Sequence, residues 1–194
     1  MRLSDIIQSI RPATFAEKTG ARLAGVAGGL DVTLPYPQAG WVNIADSQYT
    51  VGAPLTVLSG VKTQLTINGL GAATTRAYAD GMHSDVWSDN RFKPFALGEA
   101  YNLRVTCTIA KSTSGTGHYV VFDADIGTDV APFLSASQSV PLVKGQGVAT
   151  LLTIAAPFFC LDTFGRNGAR LFITPSTDIT IWGAAIFIQR TFTP

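Results

Sequence analysis

Few residues in this chain are of types and spacings that can do chemistry. Asp80, His83, Asp85 and Asp89 fall close together in one stretch. Imidazole and carboxylates ligate divalent ions, yet this spacing matches neither an EF-hand loop nor a zinc motif. A solvated loop that uses Asp and Asn for its turns accounts for it better. Asp123 and Asp125 alternate along a strand-like run, which turns both carboxylates to one face, as a general acid/base pair or a calcium site would need. Nothing nearby selects either role, and paired carboxylates at a strand end, bonding a neighbouring loop, are the plainer reading. Cys107 and Cys160 each sit in apolar strand-like sequence and read as small buried hydrophobes. Neither has a suitably placed histidine. Gly25, Gly28 and Gly29 do not fit G-x-G-x-x-G, and neither a nucleophile elbow nor a Walker loop occurs. No catalytic residue, metal site or cofactor is assigned, and the chain is expected not to be an enzyme.

The elements that would position any site follow from composition and periodicity. The 194 residues are 46% hydrophobic and only 14% charged, against about 25% charged in ordinary soluble domains. Ser, Thr, Asn, Gln and Gly must therefore cover most of the surface. The formal charge of +1 gives no strong attraction to nucleic acid or to an anionic membrane, so neither is expected as a partner. No apolar run approaches the ~20 residues of a membrane span, and MRLSDIIQSIRP has no continuous h-region of a secretory signal.

Leu3, Ile6, Ile7 and Ile10 fall at i, i+3, i+4 and i+7, one face of a short helix that Ser4 or Asp5 can cap and Pro12 ends. Two turns are unstable alone in water, so this face needs another surface, and a partner's is favoured. The Gly/Ala-rich 20–30 and the LPYP at 34–37 continue as a flexible, extended linker. Residues 1–38 are read as an N-terminal arm and 39–194 as one domain.

From Trp41 onward the chain is a series of strand-like runs. The clearest is 101–109, where Tyr, Leu, Val, Cys and Ile alternate with Asn, Arg, Thr and Thr. Further candidates are 41–45, 54–59, 62–67, 118–126, 131–142, 147–155, 169–174 and 179–192, punctuated by turns such as Asn68-Gly69 and Asn167-Gly168. About eight strands with no helical pattern between them predict an all-β antiparallel sandwich, most simply a jelly roll. Two runs are apolar on both faces. Tyr119-Val120-Val121-Phe122 is one. In the last run, Ile179, Ile181, Ala185 and Phe187 point one way and Trp182, Ala184, Ile186 and Ile188 the other. A sandwich strand gives one face to its own core, so the second face is assigned to a symmetric oligomer through Tyr119, Val121, Trp182, Ile186 and Ile188. Residues 69–97 form a long aperiodic loop, with Met82 and His83 near its tip and Trp87, Phe92 and Phe95 expected to tie it down by packing.

The WVNIADSQYT of 41–50 resembles the opening of a jelly-roll domain found in small tailed-bacteriophage virion proteins, where Asp-x-Gln-Tyr-Thr precedes a Pro-containing strand. The resemblance continues through Asn68-Gly69, Trp87-Ser88-Asp89, Phe92, Gly98-Glu99-Ala100-Tyr101, Asp125-Ile126-Gly127, Lys144-Gly145, Thr163-Phe164, Asn167-Gly168 and a terminal Gln189-Arg190-Thr191. It covers 41–194. Such domains are similar to those of the tumour-necrosis-factor type, which implies a homotrimer. The family implies a head decoration (cement) protein, made in the bacterial host cytoplasm and seated on the outer capsid surface. Its partners would be its own copies and the major capsid protein; the resemblance does not reach residues 1–38, and the apolar helix face of Leu3, Ile6, Ile7 and Ile10 is assigned as the capsid contact from its spacing. The alternative is a tail-tip or fibre knob that recognises a host glycan or surface protein through Tyr78, His83 and Trp87.

Overall fold

The structure, a computed structural model, describes residues 22–26, 29–33, 40–77, 86–128 and 130–192. The expected helix at 3–10 and the loop tip with Tyr78, Met82 and His83 lie outside the described residues. Within the stretch read as a linker, β1 (Arg22–Val26) and β2 (Gly29–Thr33) form an antiparallel hairpin, a unit separate from the remaining strands.

The second unit is built from β3 (Gly40–Ala45), β5 (Thr63–Gln64), β9 (Ala100–Lys111), β10 (Tyr119–Asp125), β11 (Leu134–Pro141), β12 (Thr150–Phe159), β13 (Arg170–Pro175) and β14 (Ile179–Phe192). One sheet runs β12-β9-β14-β3 and the other β11-β10-β13-β5. Counted as first to eighth along the chain, these eight strands pair antiparallel as 1·8, 2·7, 3·6 and 4·5. That nesting gives sheet orders 1-8-3-6 and 2-7-4-5, which is the jelly roll anticipated above. Shorter strands β4 (Leu55–Val57) and β6 (Thr75–Ala77) extend the first sheet beside β14 and β3. Within the expected loop 69–97, β7 (Trp87–Ser88) and β8 (Arg91–Phe92) make a tight hairpin. A six-residue helix, α1 (Asp162–Asn167), crosses between β12 and β13 and was not foreseen.

The core lies between the sheets, where alternate residues of each strand meet: Leu103, Val105, Cys107 and Ile109 from β9 face Val120, Phe122, Leu171 and Ile173 from the other sheet. One departure from alternation corrects the sequence reading. In β14 the register shifts between Trp182 and Ala185, at Gly183 with φ +60°. This bulge adds a residue to one strand and reverses the parity of every side chain beyond it. Ile179 and Ile181 before it, and Ala184, Ile186 and Ile188 after it, therefore share the core face. The second face is made by Trp182, Ala185 and Phe187, not by Trp182, Ala184, Ile186 and Ile188. Ile186 and Ile188, assigned above to an inter-subunit face, are fully buried in the chain's own core.

Candidate interaction surfaces

The residues in the tailed-phage-like motifs are joined in space, and their roles are structural. Asp46 opens a turn in which its carboxylate accepts the amides of Tyr49 (2.7 Å) and Asn68 (3.1 Å). The same turn holds the bulge: Gly183 N–H donates to the Tyr49 carbonyl, and the Ala184 carbonyl accepts from Asp46 N–H. Asn68 Oδ1 in turn accepts the amides of Ser47 and Leu70. Trp87 donates its indole N–H to the Ile67 carbonyl at 2.9 Å and packs against the core. Its indole N–H is thus committed to holding the β7–β8 hairpin. Phe92 is fully buried, edge-on to Tyr101 and Phe164 with ring centroids 5.0 and 5.1 Å apart, whereas Phe95 is half-exposed.

Two buried ion pairs lie at the end of the sandwich that α1 crosses, where β9 and β13 begin and β10 and β14 end. Glu99 Oε1 accepts from Arg190 at 3.0 Å, and Oε2 accepts the amides of Phe95 and Ala96 and the Tyr101 hydroxyl. Both partners of the pair are about 1% exposed. Burial, then the bond to Glu99, holds the Tyr101 phenol neutral far above its usual range. Asp125 accepts the amides of Gly127 and Phe133 at 2.8 Å each and pairs with Arg170 at 3.1 Å. Burial by itself disfavours the charged form, but those two amides and the Arg170 guanidinium outweigh it, so the carboxyl sits below the usual range. Asp123 accepts from the Ser137 hydroxyl at 2.7 Å and lies 3.7 Å from Lys62. Both carboxylates are engaged by neighbours, as the loop-bonding reading expects. Among the described residues no three His, Cys, Asp or Glu side chains gather as a metal site. Asp89, one of the four residues of the acidic stretch considered above, pairs with Lys93 instead. Burial pushes the Cys107 thiol up to about 12 and, together with the charge of Glu99, Cys160 up to about 11, so neither is a nucleophile at neutral pH.

The five residues assigned to a subunit interface do not form one patch. Besides the two buried isoleucines, Tyr119 and Val121 alternate with core-facing Val120 and Phe122 and point outward from the sheet containing β10. Trp182 points outward from the opposite sheet. On that opposite face Trp41 stacks on Phe187 at 5.7 Å, with the Arg104 guanidinium 4.9 Å from the Phe187 ring.

The exposed apolar residues gather elsewhere. Phe159 and Phe192 both flank Ala100 in the sheet register, and Leu97 and Leu161 lie beside them through the bonds of Gly98 N–H to Cys160 O and Cys160 N–H to Glu99 O. All four are more than half exposed. The strands β11 and β12, at the ends of their sheets, carry no charged side chain, being LSASQSVP and TLLTIAAPFF. Charges usually blunt such edges. Here the proline at 157 is the visible safeguard, since it removes one donor. Neither feature was singled out from the sequence. The signal available was the absence of Asp, Glu, Lys and Arg from two successive strands.

The strand order and the core define a jelly-roll domain. No protein-family model matches the chain, and no curated protein matches it in sequence. Among solved structures, the vertex protein P5 of PRD1 is similar with a TM-score of 0.43 and 13% identity, over 91% of this chain and 83% of that one. A structure of infectious bursal disease virus, Gx strain, is similar at 0.41 and 10%, over 86% of this chain and 36% of that one. Empty particles of cowpea mosaic virus follow at 0.29 and 9%, over 88% and 90%. At such scores the fold assignment rests on the strand order given above.

Proposed function

We propose that this chain is a structural protein of a virion surface: a homotrimer that decorates the outer head of a bacteriophage and stabilises adjacent capsomers. Its N-terminal arm would dock on the major capsid protein through Leu3, Ile6, Ile7 and Ile10. The observation that carries the reading is the exposed set Leu97, Phe159, Leu161 and Phe192, with the uncharged strands β11 and β12. Exposed apolar side chains brought to one end of a sheet suit contact with another protein chain. The tailed-phage resemblance of 41–194 supports the location, and the near-neutral charge suits attachment that does not depend on salt. Trivalency would multiply weak contacts into a firm hold.

The test is to locate the protein in intact virions with a specific antibody by electron microscopy. Label over the head is expected, and full-length chains carrying Ile6→Asp and Ile7→Asp should no longer bind heads. Label at the tail end would overturn the decoration reading and favour the receptor knob. That alternative rests on Tyr78, His83 and the part-exposed ring of Trp87, whose indole N–H is already bonded.

A further inference from the structure

We propose that the cleft between strands β10 and β11 of one sheet and β9 and β12 of the other is a binding site for a small neutral amphiphile. Its apolar body would fill the cleft, and an uncharged hydroxyl or amide head would bond the Gln138 side chain.

The cleft has a volume of about 310 Å³. Its walls are Leu103, Ile154 and Phe158 on one side and Phe122 and Leu171 on the other. Its existence follows from three small residues. Ala124 on β10, Ala136 on β11 and Ala156 on β12 all take inward positions, where the neighbouring inward residues are Phe122, Ile154 and Phe158. Three methyl groups at one level leave the sheets too far apart to fill the gap. A dry apolar cavity of roughly 150 Å³ holds benzene, so about twice that volume takes an alkyl chain of roughly eight carbons.

The mouth selects the head group. Ala136 opposes Ala124 and Gln138 opposes Phe122 in the β10–β11 ladder, so Gln138 lies in the inward row of β11 between Ala136 and Val140. It is polar in an otherwise apolar row and exposed at the mouth, so a ligand's head would replace water at its amide. An amide offers both a donor and an acceptor, which suits a neutral hydroxyl or amide. The sole ionisable residue of the lining is Asp123, and its carboxylate is already engaged by Ser137 and Lys62. A cationic head finds no free carboxylate here, and an anionic head meets a like charge.

The test titrates the full-length chain with 1-octanol, octanoate and octylamine by calorimetry and by thermal shift. Octanol should bind saturably at one per chain, and the two charged analogues at least tenfold more weakly. Ala136→Leu and Ala156→Leu should each remove octanol binding while near-ultraviolet circular dichroism stays native. Gln138→Leu should weaken octanol at least fivefold. If one filling variant does not fold, the other and Gln138→Leu decide the matter. No saturable octanol binding by the unmodified chain, equal affinity for octanoate, or undiminished binding in the folded filling variants would each overturn the proposal.

Discussion

Arg190 and Glu99 stand 91 positions apart in the chain, and the bond between them closes one end of the sandwich. Because both are buried, removing either leaves a charge without its counter-ion, which costs about 3–5 kcal/mol. Arg190→Met is therefore expected to lower the denaturant midpoint sharply, and Glu99→Gln to do so too, since Gln cannot accept four bonds as a carboxylate does. Equilibrium urea unfolding checks both. Asp125 makes a different prediction because its pKa is depressed in the folded state. A carboxyl shifted that way contributes stability that is fully present above its unfolded value of about 3.9 and is lost as pH falls through the lower folded value. Asp125→Asn should be less stable than the parent at pH 7, with the gap narrowing as the pH falls below about 4. Melting curves between neutral pH and pH 2 would show it. A constant gap would mean that the carboxylate contributes nothing through its ionisation.

At the level of elements, two glycines separate strain from clash. Gly183 sits at φ +60° with open space where a Cβ would go, so Gly183→Ala meets only the left-handed backbone penalty of about 1 kcal/mol. Gly127 has ordinary backbone, but a Cβ there would lie 2.2 Å from the Ala131 carbonyl oxygen. Gly127→Ala must push apart the turn that Asp125 holds, and it should cost more than Gly183→Ala in the same unfolding experiment. Strand β14 also shows how far the sequence could be read. Nearly every jelly-roll strand was visible, because apolar residues recur at period two and Gly or Asn marks the turns between them. The parity of β14 was not, since counting alternate residues straight through 179–192 assumes one residue per rung, and the bulge breaks that count at Gly183. The glycine was the available signal, because an isolated Gly within a strand pattern points to a bulge. The ion pairs were hidden for another reason. Glu99 and Arg190 lie in separate, individually unremarkable runs, and only the nesting of strands one, three and eight brings them together. The motif residues Asp46, Tyr49 and Asn68 carried a resemblance in sequence, but what they do, which is hold that bulge, depends on long-range contacts.

For the molecule as a whole, the outward surfaces matter more than any one residue. If Leu97, Phe159, Leu161 and Phe192 lie between subunits, native mass spectrometry of the full chain at micromolar concentration should give three times the chain mass. Phe159→Glu should reduce it to one, with the fold retained because that ring is exposed. A single-chain mass for the unaltered protein would remove the trimer from the proposed function. The topology also has a bearing on synthesis. Strand β14 is made after every other strand of its sheet, yet it lies at the sheet's centre, bonded to β9 on one side and to β3 on the other. At about 5–20 residues per second, β3 waits roughly ten seconds or more on the ribosome for its partner. Throughout that interval the growing chain carries half-built sheet edges, β3 and β9 among them, that lack their central partner. The first sheet therefore cannot close until β14 has emerged. A chain cut short before β14 leaves β3 and β9 without the strand that joins them, so the two halves of the first sheet stay apart.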